Sequence, residues 1–253
     1  MKNGKSSKKI TKIVDGTATS ESAASDGTWK PSEESKSKAT TFRIIAALSW
    51  AVAIGLQVFA YFKLQEVPVS MAWMIGLILG ALVFAIIGNV LWKKSNRLDP
   101  ASEKNKFKFF VQNQLGLIIS VLAFLPMVIL IFTSKNLNGK QKGILGTLAI
   151  AALAAAGLTG TEFNPASVEQ YTEQTQQVEL LNNGVNQVYW TPSGKSYHLF
   201  QDCGYINGKR TNEIFEGTVA KARELKKITD LCDRCQNKAK KAKALELSTE
   251  VTE

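Results

Sequence analysis

YHLFQDC at residues 197–203 and LCDRC at residues 231–235 hold the chain's single histidine and all three of its cysteines. The first segment places a histidine and a cysteine either side of four residues, and the second places two cysteines either side of two. Two close pairs of imidazole and thiol groups, joined by a longer loop, have the ligand types and grouping of a closed tetrahedral Zn²⁺ site. The predicted zinc ligands are His198, Cys203, Cys232 and Cys235.

Ordinary buried residues with one disulfide are the alternative interpretation of these four positions. Random placement would scatter four rare residues over the whole chain, and an odd number of cysteines argues against a simple disulfide set. Four protein ligands fill the coordination shell and leave no position for a reactive water, which favours a structural site over a catalytic one. A domain of about 50 residues has a small core and often needs a metal to fold.

Four apolar segments without a single charged side chain precede the cysteine-rich region. A helix needs about 20 apolar residues to cross the hydrocarbon core of a bilayer, and none of the four segments has the polar stripe of a helix in a soluble protein. The sequence predicts an all-α membrane bundle of four transmembrane helices with a small C-terminal α+β zinc-binding domain. The four segments are Ile44–Phe62, Ser70–Trp92, Leu115–Thr133 and the Ala-rich Ile144–Thr161, which is the shortest and lies near the lower limit for a span.

Small and polar residues inside the first two segments predict how the helices pack. Small residues at helical spacing allow two backbones to approach closely. Gln57 and Asn89 are the most polar members of the spans, and we expect both to hold helices together rather than to line a transport path. The small residues concerned are Ala47, Ala51 and Gly55 in the first segment and Gly76 and Gly80 in the second.

The distribution of basic residues predicts the orientation. Ten Lys and Arg residues lie between residue 30 and the first segment or between the second and third segments, whereas four lie on the opposite side. Because basic loops stay in the cytoplasm, the N-terminus of this cell-membrane protein is predicted to be cytoplasmic. Four crossings return the zinc domain to the cytoplasm, and it lies outside if the short fourth segment does not cross.

The remaining segments differ in composition and divide the chain. Residues 1–41 are rich in Ser, Thr, Lys and Glu and are predicted to be a disordered basic tail, because they bury too little apolar surface to offset chain entropy. The predicted transmembrane region is 42–161, followed by a polar acidic linker over 162–186 that is helical in part. The zinc-binding domain is predicted over 187–240 and a charged tail over 241–253.

Within the zinc-binding domain, local patterns predict the elements that carry the ligands. Residues 188–190 and 196–200 resemble two strands around a Pro-Ser-Gly-Lys turn. Residues 217–228 have one apolar helical face, formed by Val219, Ala222, Leu225 and Ile228. A Lys-rich helix is predicted from about Gln236, directly after the Cys232 pair, so that its dipole favours the thiolate form of the cysteines.

The stretch VYWTPSGKSYH at residues 188–198, with Cys203 and the later Cys232 and Cys235, resembles the small Ada-type metal-binding domain. The resemblance covers roughly residues 188–236. In bacteria this module is often appended to nucleases, competence-type proteins and membrane proteins, and it implies zinc binding by the four ligands named above. His198 stands where the DNA-repair version has its methyl-accepting cysteine, so alkyl transfer does not carry over. The membrane half resembles uncharacterised bacterial multi-pass membrane proteins.

Three classes of function compete. The favoured one is a membrane protein with a structural zinc module that binds a partner, either a protein or, less favoured, a nucleic acid, because the basic residues are not interleaved with an aromatic platform. The alternatives are a permease or channel regulated by the zinc domain, and a zinc or redox sensor. Coupled carriers usually keep ionisable residues inside the bilayer, and these spans have none.

An enzyme is the least favoured class. The only histidine is committed to the metal, and no Gly-rich phosphate loop is present in the sequence. The partners predicted are therefore the lipid bilayer, the zinc ion and a protein, with nucleic acid as the weaker alternative and homo-oligomer formation left open.

Overall fold

The computed structural model describes residues 9–13, 27–226 and 228–250. The chain divides into two compact units. One is the continuous segment Pro31–Ala166, and the other combines Met1–Lys30 with Ser167–Glu253. We call them the helical unit and, after the metal ligands predicted in the second one, the metal-binding unit.

The helical unit consists of four long apolar helices, α1 to α4. Each is long and apolar enough to cross a membrane, which confirms the predicted number of such helices and suggests a membrane protein. The shortest has 22 residues and a length of about 33 Å, close to the thickness of a hydrocarbon core. It begins before the apolar segment, because Asn138 and Gln141 form a reciprocal capping box. The bounds are α1 Glu33–Gln65, α2 Met71–Leu98, α3 Lys106–Thr133 and α4 Gly139–Gly160.

A buried polar node connects all four helices. The Asn89 side chain of α2 is fully buried, and its Oδ1 accepts a hydrogen bond of 3.0 Å from Trp50 Nε1 of α1. Its Nδ2 donates to Ser120 Oγ of α3 at 3.1 Å, and to the Ala156 carbonyl and Thr159 Oγ1 of α4 at 2.9 and 3.3 Å. The predicted role of Asn89 in holding helices together is confirmed. Gln57 does not share it, since neither of its amide atoms has a hydrogen-bond partner among the described residues.

Close helix approach occurs at glycines other than those predicted. Among the described residues, a Cβ on Gly55 or Gly76 would meet nothing within 4 Å, so the prediction is wrong for these two. The close crossing joins α3 to α4, where a Cβ on Gly160 would lie 2.5 Å from the carbonyl carbon of Gly116. Gly88 similarly faces the Trp50 ring, where a Cβ would lie 2.5 Å away. Glycine thus lets α3 and α4 pack backbone against backbone, and at Gly88 it leaves room for the Trp50 ring.

The metal-binding unit is a small α+β structure. One sheet has the strand order β1-β4-β2, in which β1 is parallel and β2 antiparallel to the central β4. The second is the parallel pair β3 and β5. The elements are β1 Lys9–Lys12, α5 Val168–Leu181, β2 Val188–Trp190, β3 Ser196–Tyr197, β4 Glu213–Gly217, α6 Val219–Lys226, β5 Asp230–Leu231 and α7 Asp233–Glu250.

The predicted disorder of residues 1–41 differs from the structure at three places. Helix α1 begins at Glu33, because the Ser32 side chain caps its first turn and two glutamates favour its N-terminal dipole. Lys9–Lys12 form a strand. Trp29 is 3% exposed and packs edge-on against Tyr171. The rest of this prediction, over residues 1–8 and 14–26, lies outside the described residues.

The boundaries predicted for the C-terminal segments also differ. The predicted linker 162–186 contains α5, and its side chains Tyr171, Thr175 and Val178, spaced three or four residues apart, are buried within the metal-binding unit. The predicted charged tail is helical as far as Glu250, since α7 runs through the boundary at 240, and residues 251–253 lie outside the description. The metal-binding unit therefore resumes at Ser167, well before the boundary that composition alone indicated.

Candidate metal centre

Two of the four predicted ligands are brought together by the short parallel pair β3 and β5. Tyr197 pairs with Leu231 in this sheet, and His198 and Cys232 each follow directly. The Cys232 amide donates to the Tyr197 carbonyl at 2.9 Å, which extends the pairing by one residue. The register of a two-residue strand pair thus places one ligand from each sequence motif side by side.

The other two ligands come from a loop and from a helix start. Cys203 lies in the loop after β3, where its carbonyl accepts hydrogen bonds from the amides of Ile206 at 3.0 Å and Asn207 at 2.8 Å. Cys235 lies in the first turn of α7, which begins at Asp233, three residues before the predicted start at Gln236. The predicted hairpin is also present in shorter form, since Tyr189 and His198 exchange two backbone hydrogen bonds of 2.7 Å each.

The ligand atoms converge on one point. One ligand atom from each of the four residues lies within 4.8 Å of the others, and all four residues are buried. The distance from Cys235 Sγ to His198 Nδ1 is 3.7 Å. One imidazole nitrogen and three sulfurs in this arrangement can hold a metal ion.

Burial determines the protonation of two of the ligands. It lowers the pKa of His198, which keeps the imidazole neutral and able to bind a metal. It raises the pKa of the Cys235 thiol to about 12, and the neighbouring Cys203 adds to this shift. Hydrogen bonds from the backbone at Phe200 and Leu199 act in the opposite direction, since they stabilise a thiolate at Cys235. A cation that binds here must therefore displace the Cys235 proton, and the amides are placed to support the resulting thiolate.

Metal affinity is expected to depend steeply on pH. The Cys235 thiol is protonated at neutral pH in the metal-free protein, because its pKa is about 12, so binding releases at least one proton. The apparent association constant should therefore rise at least tenfold per pH unit between about pH 6 and 8. Competition with a chromophoric chelator over this range measures the slope. A constant affinity would mean that Cys235 does not bind as a thiolate.

Two cations of α7 contact aromatic residues of the loop that carries Cys203. The Arg234 guanidinium lies 6.0 Å from the Tyr205 ring centroid, and Lys238 Nζ lies 4.3 Å from that of Phe200. Lys238 also pairs with Asp202 at 3.6 Å. Each of these cations therefore has an aromatic neighbour in space, although basic and aromatic residues are not interleaved along the sequence. The two members of each pair lie far apart in the chain, so no linear pattern could indicate them.

An open pocket of about 420 Å³ lies beside the centre. Two of the ligands, His198 and Cys232, form part of its wall. Tyr205, which is 71% exposed, and Arg234 line the same pocket. The remaining wall is polar on several sides, with Thr191, Lys195, Ser196, Asp230 and Asp233.

Comparison of the chain with models of known protein families, with curated proteins and with solved structures finds no match. The resemblance to the Ada-type domain therefore stays a prediction that depends on the sequence motifs. The geometry supports a narrower conclusion: the four residues singled out by spacing form one buried group that can bind a metal ion.

Proposed function

We propose that the chain is a multi-pass membrane protein that carries a structural zinc module for binding a partner at the cytoplasmic face. The observation that carries this proposal is the convergence of four buried ligand atoms within 4.8 Å of one another. Sequence spacing alone indicated the same four residues.

Ligand chemistry favours zinc. Three thiolates and one imidazole form a common structural zinc set, with Zn–S bonds of about 2.3 Å and Zn–N bonds of about 2.0 Å. Tetrahedral geometry at these lengths separates a sulfur from a nitrogen by about 3.6 Å, and the observed distance between Cys235 Sγ and His198 Nδ1 is 3.7 Å. Four protein ligands complete the shell, which favours a structural role over a catalytic one. Burial of all three thiols favours a permanent ion over a redox sensor.

Strand pairing supports a cytoplasmic location for the metal-binding unit. β1 precedes the first apolar helix and β4 follows the fourth, and the two strands are paired. Two segments of one sheet lie on the same side of a membrane, so an even number of crossings separates them. The Lys and Arg bias places the N-terminus in the cytoplasm, and the metal-binding unit goes with it. Four spanning helices satisfy this condition.

Sidedness can be tested with the full chain in sealed right-side-out vesicles. A protease site introduced at the exposed Val185 should be protected until the vesicles are opened. A matched site at Val67, 78% exposed between α1 and α2, should be cut in intact vesicles. Cleavage at both sites without opening would contradict a cytoplasmic metal-binding unit.

The pocket beside the centre is the surface that we assign to the partner. Tyr205 and Arg234 offer an exposed ring and a cation next to two metal ligands. A protein partner is favoured, since acidic Asp230 and Asp233 also line the pocket and would repel phosphates.

A partner that co-purifies in mild detergent should be lost with the double change Tyr205→Ala and Arg234→Ala. It should be kept with Leu225→Ala, which changes an exposed apolar residue outside the pocket lining. Equal recovery with both variants would contradict the assignment.

A further inference from the structure

β1 lies at the outer edge of the three-stranded sheet, next to the central β4. It contributes little to the core. Lys9, Ile10 and Lys12 are exposed, and only Thr11 is half-buried. Removing four such residues from the sheet costs little apolar burial, so polar contacts hold this strand in place.

These polar contacts form a regular set. The Lys9 amide donates to the Asn212 carbonyl at 3.3 Å, and the Ile13 amide donates to the Glu216 carbonyl at 2.8 Å. Between these ends the register pairs Thr11 with Phe215, which places the Thr11 amide on the β4 side in the alternation of a parallel ladder.

Two glutamates of β4 recognise the side chains of β1. Glu213 accepts a hydrogen bond of 2.6 Å from Thr11 Oγ1 and pairs with Lys9 Nζ at 3.5 Å. The Thr11 hydroxyl and, less strongly, Lys9 hold the pKa of the Glu213 carboxyl below its usual range. Glu216 pairs with Lys12 Nζ at 3.3 Å.

The two carboxylates lie on opposite faces of the sheet, because side chains alternate along a strand and the glutamates are three residues apart. A strand that matches both must carry cations three residues apart. Without β1, the edge of β4 would also present unpaired amides and carbonyls, which are a template for another strand. A strand that binds this edge must therefore supply backbone hydrogen-bonding groups and two cations three residues apart.

We propose that the outer edge of β4 is a docking site for an extended basic strand, filled in cis by Lys9–Lys12 and able to take the same strand of a second copy of this chain. In an isolated chain, β1 of the same chain occupies the edge in preference to that of a second copy, because its covalent link gives it a high effective concentration. When the cis strand is blocked, the same contacts join two copies. This inference does not depend on the metal.

Two complementary variants of the full chain test the proposal. Thr11→Pro removes the backbone amide that faces β4, so β1 of this variant no longer pairs with β4. The edge of β4 itself is unchanged and can accept another strand. The double change Glu213→Lys and Glu216→Lys makes the edge of β4 positive, so that it repels the lysines of β1. The β1 strand itself is unchanged and can bind to the β4 edge of another chain. An equimolar mixture in detergent should form a 1:1 heterodimer, with an affinity at least tenfold higher than the self-association of either variant. Analytical ultracentrifugation measures both.

A peptide of residues 6–15 gives a second measurement that does not require the double variant to fold. Labelled peptide should bind Thr11→Pro at least tenfold more tightly than wild type, because no cis strand competes. A peptide with both Lys9→Glu and Lys12→Glu should bind at least tenfold more weakly. Circular dichroism checks that Thr11→Pro keeps its fold. Equal peptide affinity for wild type and Thr11→Pro, or equal affinity of the two peptides, would overturn the proposal, as would a mixture no more associated than its components.

Discussion

If the proposed zinc centre is present, a chain with Cys232→Ser is expected to lose that ion and the fold of its metal-binding unit while its apolar helices remain folded in detergent. Serine does not form an anionic ligand at neutral pH, so the ion keeps only three of its four protein ligands. Structural zinc contributes on the order of 10–16 kcal/mol in small zinc-dependent peptides, whereas whole domains have net stabilities of roughly 5–15 kcal/mol. We expect zinc affinity to fall more than 100-fold, since loss of a supporting group outside the ligand set alone can cost 10–100-fold.

Metal analysis and limited proteolysis measure the two effects. Asp233→Asn is the matched control, because this exposed carboxylate is adjacent to Cys232 in the chain but is not in the ligand group. The control should keep one zinc per chain and its resistance to protease beyond Ser167. If Cys232→Ser keeps both as well, Cys232 is not a ligand.

Gly160→Ala is expected to destabilise the helical unit. Its new Cβ would lie 2.5 Å from the Gly116 carbonyl carbon and 2.6 Å from the Leu117 amide nitrogen. These are backbone atoms and cannot rotate away, so α3 and α4 must move apart. Overpacking commonly costs about 1–3 kcal/mol, and we expect a loss of about 2 kcal/mol or more in the free energy of unfolding in detergent.

Gly157→Ala is the matched control, less than one turn earlier in the same helix. Within the described part of the chain, its Cβ would meet only Leu117 Cδ1, at an ordinary contact distance of 3.6 Å. Because alanine favours a helix over glycine by up to about 1 kcal/mol, the control should be neutral or slightly stabilising. Equal losses in both variants would show that the α3–α4 crossing is not held by backbone contact at Gly160.

The group of four candidate metal ligands could be predicted from sequence because the constraint is chemical and local. Only four residues in the chain are His or Cys, and their spacing fits one ion. The apolar helices could be predicted because their length and lack of charge are visible in single segments. Both predictions use local signals: the composition of one continuous segment, and the positions of a rare residue type.

Pairing between distant segments could not be predicted in the same way. Lys9–Lys12 has the composition of a solvated tail, and its partner Glu213–Gly217 lies beyond all four apolar helices in the chain. Nothing in either stretch alone specifies the register. The same limit applies to the close crossing, since Gly55 and Gly160 are equivalent in sequence terms and only the neighbouring helix distinguishes them.

The acidic segment before β2 illustrates a third limit. Glu, Gln and Asn dominate it, and composition therefore suggests a linker. Tyr171 and Val178 nevertheless form one buried face, with Thr175 between them. Two or three apolar side chains at helical spacing are enough to attach a polar helix to a small core, but they are too few to distinguish it from chance in sequence.

X-ray absorption at the zinc edge of the full-length protein, purified without added metal, tests the central claim most directly. The account predicts one zinc per chain, bound by three sulfurs at about 2.3 Å and one nitrogen at about 2.0 Å. A zinc content well below one equivalent, or a shell dominated by oxygen, would contradict a centre made by His198, Cys203, Cys232 and Cys235.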